Sequence, residues 1–297
     1  MAKSYSYPSQ FRYQGPRDET FKMFIDNILK DYGDISEKNR SDILDKEGLS
    51  YYYLSFTAPS FNPQENYEFL ETLGDSTLNK AIMWYLARRF PAINCPDGID
   101  ILTRLKIKFI QKKSFASLSE KLGFLPFIST DFNRTIASLR DSSSTISEEM
   151  TSTLEDVFEA FFGATELIID KKYNIGMGYK ICYKIVSRLL DKINITINYE
   201  DIVDSKTRLK ELFDHNKHKG IGTFDYIRLD QDQCKFRKIC KASVRHIQDK
   251  GNPSFIGIGE SHKYEDAEQL AATQALENLK AKGFVKNIPE EYIKYCT

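Results

Sequence analysis

The sequence predicts an all-α domain followed by a small α+β domain of order α-β-β-β-α. Three observations predict it. Residues 21–197 carry apolar residues at helical spacing with little strand-like alternation, three short alternating stretches follow residue 220, and an alanine-rich helix closes the series. A chain of 297 residues, 41% hydrophobic and 28% charged, can bury one large core and one small one. The expected boundaries are a flexible N-terminal tail over 1–20, the helical domain over 21–197, a linker over 198–204, the α+β domain over 205–285 and a C-terminal tail over 286–297.

Residues 1–20 are rich in Tyr, Ser, Pro and Gln and have little periodicity, hence the tail. Amphipathic helical stretches cover 21–32, 67–90, 101–122, 153–170 and 178–190. Pro91, Pro96 and Gly98 break the chain after the second of these. The polar run 140–145 reads as an exposed loop before an acidic helix. In the second domain, 206–213 is helical in period, 224–229, 236–245 and 254–259 read as strands, and 267–279 reads as the closing helix, carrying Ala271, Ala272 and Ala275.

Lys+Arg and Asp+Glu are equal at 42 each, so the formal net charge is zero. A polyanion binder usually carries a basic excess, and the total counts against one. The distribution is uneven, however. Arg104, Lys106, Lys108, Lys112 and Lys113 fall in one acid-free run, and Lys235, Arg237, Lys238, Lys241 and Arg245 in another, while acids gather around 148–170. The five cysteines make no CxxC pair, which fits free thiols in a reducing compartment. With no apolar signal core and no run of about 20 apolar residues, the expectation is an intracellular protein, cytoplasmic or nuclear, with no membrane partner. The sequons at Asn133 and Asn194 then read as chance.

Two apolar helices carry acids at matched spacing. Glu71 and Asp75 are four apart, and Asp156 and Glu159 are three apart, so each pair shares a helix face. Carboxylates on faces expected to be buried are costly without a counter-charge. A salt bridge or cap would account for any one of them, whereas four together favour a divalent cation of the Mg²⁺ or Mn²⁺ type. Gly74 and Gly163 sit on or beside these faces and would let the helices approach closely.

The same residues carry a family resemblance. Glu71-Thr72-Leu73-Gly74-Asp75-Ser76, preceded by Glu68-Phe69-Leu70, resembles the ribonuclease III signature Glu-Phe-Leu-Gly-Asp-Ser/Ala and its leading Glu-Arg-Leu. Leu154-x-Asp156-x-Phe158-Glu159-Ala160-x-x-Gly163-Ala164 resembles the second block of that family. Phe56-Thr57-Ala58-Pro59-Ser60 is similar to its Leu-Thr-His-x-Ser run, and Leu102-Thr103-Arg104-Leu105-Lys106 to its Leu-Ser/Thr-x-Leu-Arg helix. The resemblance covers roughly residues 40–285 and implies an all-α ribonuclease III endonuclease domain. In it Glu71, Asp75, Asp156 and Glu159 are the catalytic acids, with Glu68 in support. Glu71, Asp156 and Glu159 would hold Mg²⁺, with Mn²⁺ as substitute, and Asp75 would help to position water. The implied reaction cuts double-stranded RNA, one strand per subunit of a homodimer, leaving 5′ phosphates and short 3′ overhangs, with no small-molecule cofactor. The sequence departs from the family where Thr72 replaces an aromatic that plugs a socket on the dimer partner, so the dimer contact must differ. Asp100 is the nearest acid to Ile99, where a further Glu usually stands.

The region 204–212 resembles the first helix of a double-stranded RNA-binding domain, and Gly257-x-Gly259 with Ala267-Glu268-Gln269-x-Ala271-Ala272 its third strand and second helix. Such domains read A-form shape through 2′-hydroxyls and phosphates. The resemblance points to Lys206, Thr207, Lys210 and Glu211 on the first helix and to His262 and Lys263 before the second, where amide dipoles add attraction. Tyr264-Glu265 replaces the family's Lys-Lys pair. Lys206, Arg208 and Lys210 could equally be a solvated face. Arg104 and Lys108 mark a second RNA surface in the first domain, with a solvated helix face as the alternative. A non-catalytic or dsRNA-sequestering ribonuclease III-like scaffold is the other function class. Such scaffolds typically lose one or more of the four acids, and all four are present here.

Overall fold

A computed structural model describes residues 12–131, 148–229, 240–247, 253–261 and 263–295. The chain divides between Ile195 and Thr196 into two compact units. The loop expected at 140–145, Asn133, His262, Lys235, Arg237 and Lys238 lie outside the described residues.

The first unit is helical: α1 (Glu19–Asp31), α2 (Glu37–Ile43), α3 (Lys46–Ser55), α4 (Glu68–Arg89), α5 (Ile99–Phe109), α6 (Lys112–Leu122), α7 (Glu148–Lys172) and α8 (Met177–Leu190). The organising element is α7, which packs against α3, α4, α6 and α8. Its residues Leu154, Val157, Phe158, Phe161, Phe162 and Ala164 are buried, too wide an apolar arc for one contact, so neighbours surround it. Aromatic rings fill the space between the helices. Phe124 meets Phe161 edge-on with centroids 5.4 Å apart, and Phe21 meets Phe56 at 5.2 Å.

Two expectations are corrected here. The stretch 101–122 is two helices, α5 and α6, although neither Pro nor Gly separates them. Gln111 is extended, and the Ser114 hydroxyl donates back to the Lys108 carbonyl at 2.9 Å, satisfying an acceptor at the end of α5. The N-terminal segment from Tyr13 onward is packed, not a free tail. Tyr13 pairs with Thr130, and Arg17 donates to the carbonyls of Phe127 (2.8 Å) and Phe56 (3.0 Å) while lying 5.2 Å from the Phe21 ring centroid. Burial lowers the Arg17 pKa to about 10.

The second unit begins with a short turn of helix, α9 (Tyr199–Ile202), then α10 (Ser205–Asn216), strands β1 (Thr223–Leu229), β2 (Cys240–Ile247) and β3 (Ser254–Ser261), α11 (Tyr264–Ala281) and α12 (Glu290–Ile293). The strands form one antiparallel sheet in the order β1-β2-β3, pairing Tyr226 with Val244 and Ser243 with Ile258. Leu209, Leu212 and Phe213 of α10, Val244 and Ile256 of the sheet, and Ala271, Ala272, Ala275 and Leu279 of α11 make the core. The alanines matter because β3 lies close beneath α11: a Cβ on Gly257 would meet the Ala271 carbonyl oxygen at 2.1 Å. The segment expected as a C-terminal tail is packed as well. Tyr292 and Tyr295 are buried, and Tyr292 meets Tyr199 edge-on at 5.0 Å. Among the described residues, no helix is long and apolar enough to cross a membrane.

Candidate active site

The acids come together where α4 crosses α7. The crossing is close because it is lined by glycine. A Cβ on Gly74 would lie 1.8 Å from the Glu159 carbonyl oxygen, and one on Gly163 2.0 Å from that of Leu70. Glu71 and Asp75 on α4 therefore stand beside Asp156 and Glu159 on α7, joined by Glu155. Burial is graded rather than uniform. Glu159 is 8% exposed, Glu71, Glu155 and Asp156 are half-buried, and Asp75 and Glu68 face solvent. Of the four acids expected on buried faces, Glu159 is buried, Glu71 and Asp156 are half-buried and Asp75 is exposed.

Crowding of like charge shows in the pKa values. Burial, then the charges of Asp75, Glu155, Glu71 and Asp156, pushes Glu159 up to about 8. Burial, then Asp156, Glu68, Glu155 and Asp75, pushes Glu71 up to about 7. Asp156 and Glu155 are raised too, chiefly by burial, but each has a partner that opposes the rise. The Tyr67 hydroxyl donates to Asp156 Oδ2 at 2.8 Å, and Lys112 Nζ lies 3.1 Å from Glu155 Oε2. Asp75 accepts from Asn79 Nδ2 at 2.6 Å.

Tyr67, Asn79 and Glu155 escaped the sequence reading, and Lys112 figured there only in a basic run. The signal for Tyr67, Glu155 and Asn79 was the i, i+4 rule already applied to the acids. Tyr67 precedes Glu71 by four, Glu155 precedes Glu159 by four, and Asn79 follows Asp75 by four. Lys112 reaches the cluster from α6, which no local spacing indicates.

An all-carboxylate donor set with an excess of negative charge suits a hard divalent cation. Burial and neighbouring carboxylates raise Glu71 and Glu159 together, an excess of negative charge that a divalent cation would offset, so the residues present fit the ion. Among the described residues no three His, Cys, Asp or Glu side chains close tightly around one point. What the acids share is a common field, as their mutual influence shows.

The described residues among those expected to contact RNA fall on three elements, α5, α10 and the start of α11. On α5, Arg104 is half-buried and Lys108 exposed, away from buried Ile101, Leu102 and Leu105. On α10, Lys210 is exposed, Thr207 donates to Asp204 Oδ2 at 2.6 Å, and Lys206 pairs with Glu268 at 2.5 Å. Glu211 accepts from Tyr199 and pairs with Lys286, so contacts within this unit already engage it. Lys263 occupies the position before the first turn of α11 and is half-buried.

Residues 68–168, which include Glu71, Asp75, Asp156 and Glu159, match the ribonuclease III domain model. A protein of Invertebrate iridescent virus 6, provisionally named ribonuclease 3, is 33% identical over 293 residues, covering 94% of each chain. A similarly named protein of Frog virus 3 is 40% identical over 163 residues, which are 54% of this chain and 41% of that one. The ribonuclease 3 of Leuconostoc citreum is 30% identical over 221 residues, 74% of this chain and 83% of its own. The chain therefore belongs to the ribonuclease III family of endoribonucleases.

Proposed function

We propose that this protein hydrolyses phosphodiester bonds of double-stranded RNA with a divalent cation, each subunit of a homodimer cutting one strand and leaving 5′ phosphates and short 3′ overhangs. The observation that carries the reading is the pairing of Glu71 and Asp75 on α4 with Asp156 and Glu159 on α7, in a field strong enough to raise Glu159 to about 8. Glu71, Asp156 and Glu159 would hold Mg²⁺ or Mn²⁺, and Glu68 supports them from the rim. When bound, the ion supplies Lewis acidity to the phosphate and acidifies water. Asp75, solvent-facing and held by Asn79, accepts a hydrogen bond from the incoming water and orients it. Lys112, at the rim beside Glu155, offers a positive charge toward a phosphate backbone.

In this reading the α-β-β-β-α unit is a double-stranded RNA-binding domain, using Lys206, Thr207, Lys210, Glu211, His262 and Lys263. Arg104 and Lys108 give a second surface on the endonuclease domain. The test is cleavage of a long, labelled, perfect dsRNA in Mg²⁺ by the wild type and by Glu159→Gln. Cutting that disappears in the variant, with binding kept, is the expected result. Binding without cutting by both proteins, in Mg²⁺ and in Mn²⁺, would replace the enzyme with an RNA-binding scaffold.

A further inference from the structure

Tyr67 stands at the mouth of α4, four residues before Glu71 and eight before Asp75, so its side chain lies on the stripe that carries both acids. Its backbone is fixed at both ends of the residue. The Tyr67 N–H donates to the Thr57 carbonyl at 3.0 Å, and the Tyr67 carbonyl accepts from Glu71 N–H at 2.8 Å. The ring is 5% exposed, and its hydroxyl crosses to the other helix to donate to Asp156 Oδ2 at 2.8 Å.

A carboxylate otherwise turns freely about its terminal torsion, where the energy wells are broad. One bond from a buried phenol whose backbone is fixed restricts that freedom by holding Oδ2. Asn79 performs the same service for Asp75 from one turn further along α4. We propose that Tyr67 is a positioning residue: its hydroxyl sets the orientation of the Asp156 carboxylate and so prepares that side chain to bind a divalent cation. The inference rests on the reading of Asp156 as a ligand in the proposed function. Tyr67 neither touches the substrate nor exchanges a proton in this role. Its contribution is to fix the ligand before the ion arrives, the usual task of a group hydrogen-bonded to a metal-binding side chain.

Tyr67→Phe keeps the buried ring and removes only the hydroxyl. The probe is Mn²⁺ alone, titrated into the full chain without RNA and followed by the electron paramagnetic resonance signal of the free ion. Tyr67→Phe is expected to weaken Mn²⁺ binding about tenfold. The Mn²⁺ concentration for half-maximal cleavage should rise by a similar factor, with kcat at saturating Mn²⁺ changed by no more than about twofold. A merely structural role would lower the unfolding temperature and leave the metal affinity of the folded fraction unchanged. That result, or unchanged Mn²⁺ binding in a stable variant, overturns the proposal while the proposed function stands. Asp156→Asn separates the two levels. If it binds Mn²⁺ as tightly as the wild type, the ligand role of Asp156 falls, and the role of Tyr67 falls with it.

Discussion

Gly74 and the carbonyl oxygen of Glu159 are in contact across the two acid-bearing helices, leaving no room for a methyl group: a Cβ on Gly74 would sit 1.8 Å from that oxygen. Gly74→Ala must therefore push α4 from α7 at the position of Glu159 itself. Overpacking of this kind costs about 2–3 kcal/mol, a fall of roughly 4–12 °C in unfolding temperature for a unit of this size. Cleavage should fall further than stability explains, because the acids on the two helices separate. A thermal melt of Gly74→Ala that matched the wild type would show that the helices do not meet this closely.

Glu159 makes the protein's stability depend on pH in the direction opposite to an ordinary salt-bridged acid. Its folded pKa, about 8, lies above the unfolded value of about 4.3. Between those values the folded state keeps a proton that the unfolded state has lost, so stability declines as pH rises from about 5 to about 8. Glu71, raised to about 7, acts in the same sense. In chelator, Glu159→Gln should thus gain on the wild type across this window, by on the order of 2 kcal/mol at the alkaline end. Mg²⁺ should then stabilise the wild type and leave Glu159→Gln nearly unmoved. Chemical denaturation at pH 5 and pH 8 checks it, and a difference independent of pH would contradict the crowded field described for this site.

Phe69 is 67% exposed on α4, three residues before Thr72 and on the same side of the helix, with Trp84 56% exposed further along. Thr72 is itself exposed, and its hydroxyl donates to the Glu68 carbonyl at 3.0 Å. In the proposed homodimer, an exposed aromatic one turn away can supply the contact for which Thr72 is too small. Phe69→Ala should weaken the proposed homodimer at least tenfold, as hot-spot aromatics do at about 2 kcal/mol or more, while Thr72→Ala leaves it nearly unchanged. Sedimentation equilibrium decides between them. Equal dissociation constants for Phe69→Ala and the wild type would remove Phe69 from the interface.

Asp204 caps α10, accepting from Thr207 N–H at 3.0 Å and from Gln269 Nε2 at 3.0 Å. Burial pushes its pKa up, but the hydrogen bonds from Thr207 and Gln269 outweigh it and hold the carboxyl below its ordinary value. The stabilisation is therefore present above the unfolded pKa of about 3.9 and is lost as pH falls through the folded value. Asp204→Ala should cost about 1–2 kcal/mol near neutral pH, less in acid, and Asp204→Asn, which keeps an acceptor, should cost less than Asp204→Ala. Melts of the three proteins at pH 7 and pH 3 test the ordering. An alanine penalty that did not shrink in acid would exclude the charged cap.

Much of this protein was legible along the chain. Periodicity marked the helices, because a helix must hide one stripe, and the three strands, because a half-buried strand must alternate. The four acids stood out because carboxylates at i, i+3 and i, i+4 on apolar helices are costly unless they share a counter-charge. Local spacing did not show that 101–122 breaks at Gln111, where a serine hydroxyl replaces the usual Gly or Pro signal. It did not show that Tyr13 and Arg17 are packed, since their partners Thr130, Phe127 and Phe56 lie far along the chain.

The sequence by itself determined the spacing of the four acids and which helix face each pair shares. Only the tertiary structure decided how far each acid is withdrawn from water, that Lys112 answers Glu155, that Tyr67 holds Asp156, and that Lys286 and Tyr199 engage Glu211. The reason is physical. Spacing along one helix is set by backbone geometry and can be counted, whereas burial and the pairing of charges depend on how closely separate elements approach. At the α4–α7 crossing, two glycines set that approach.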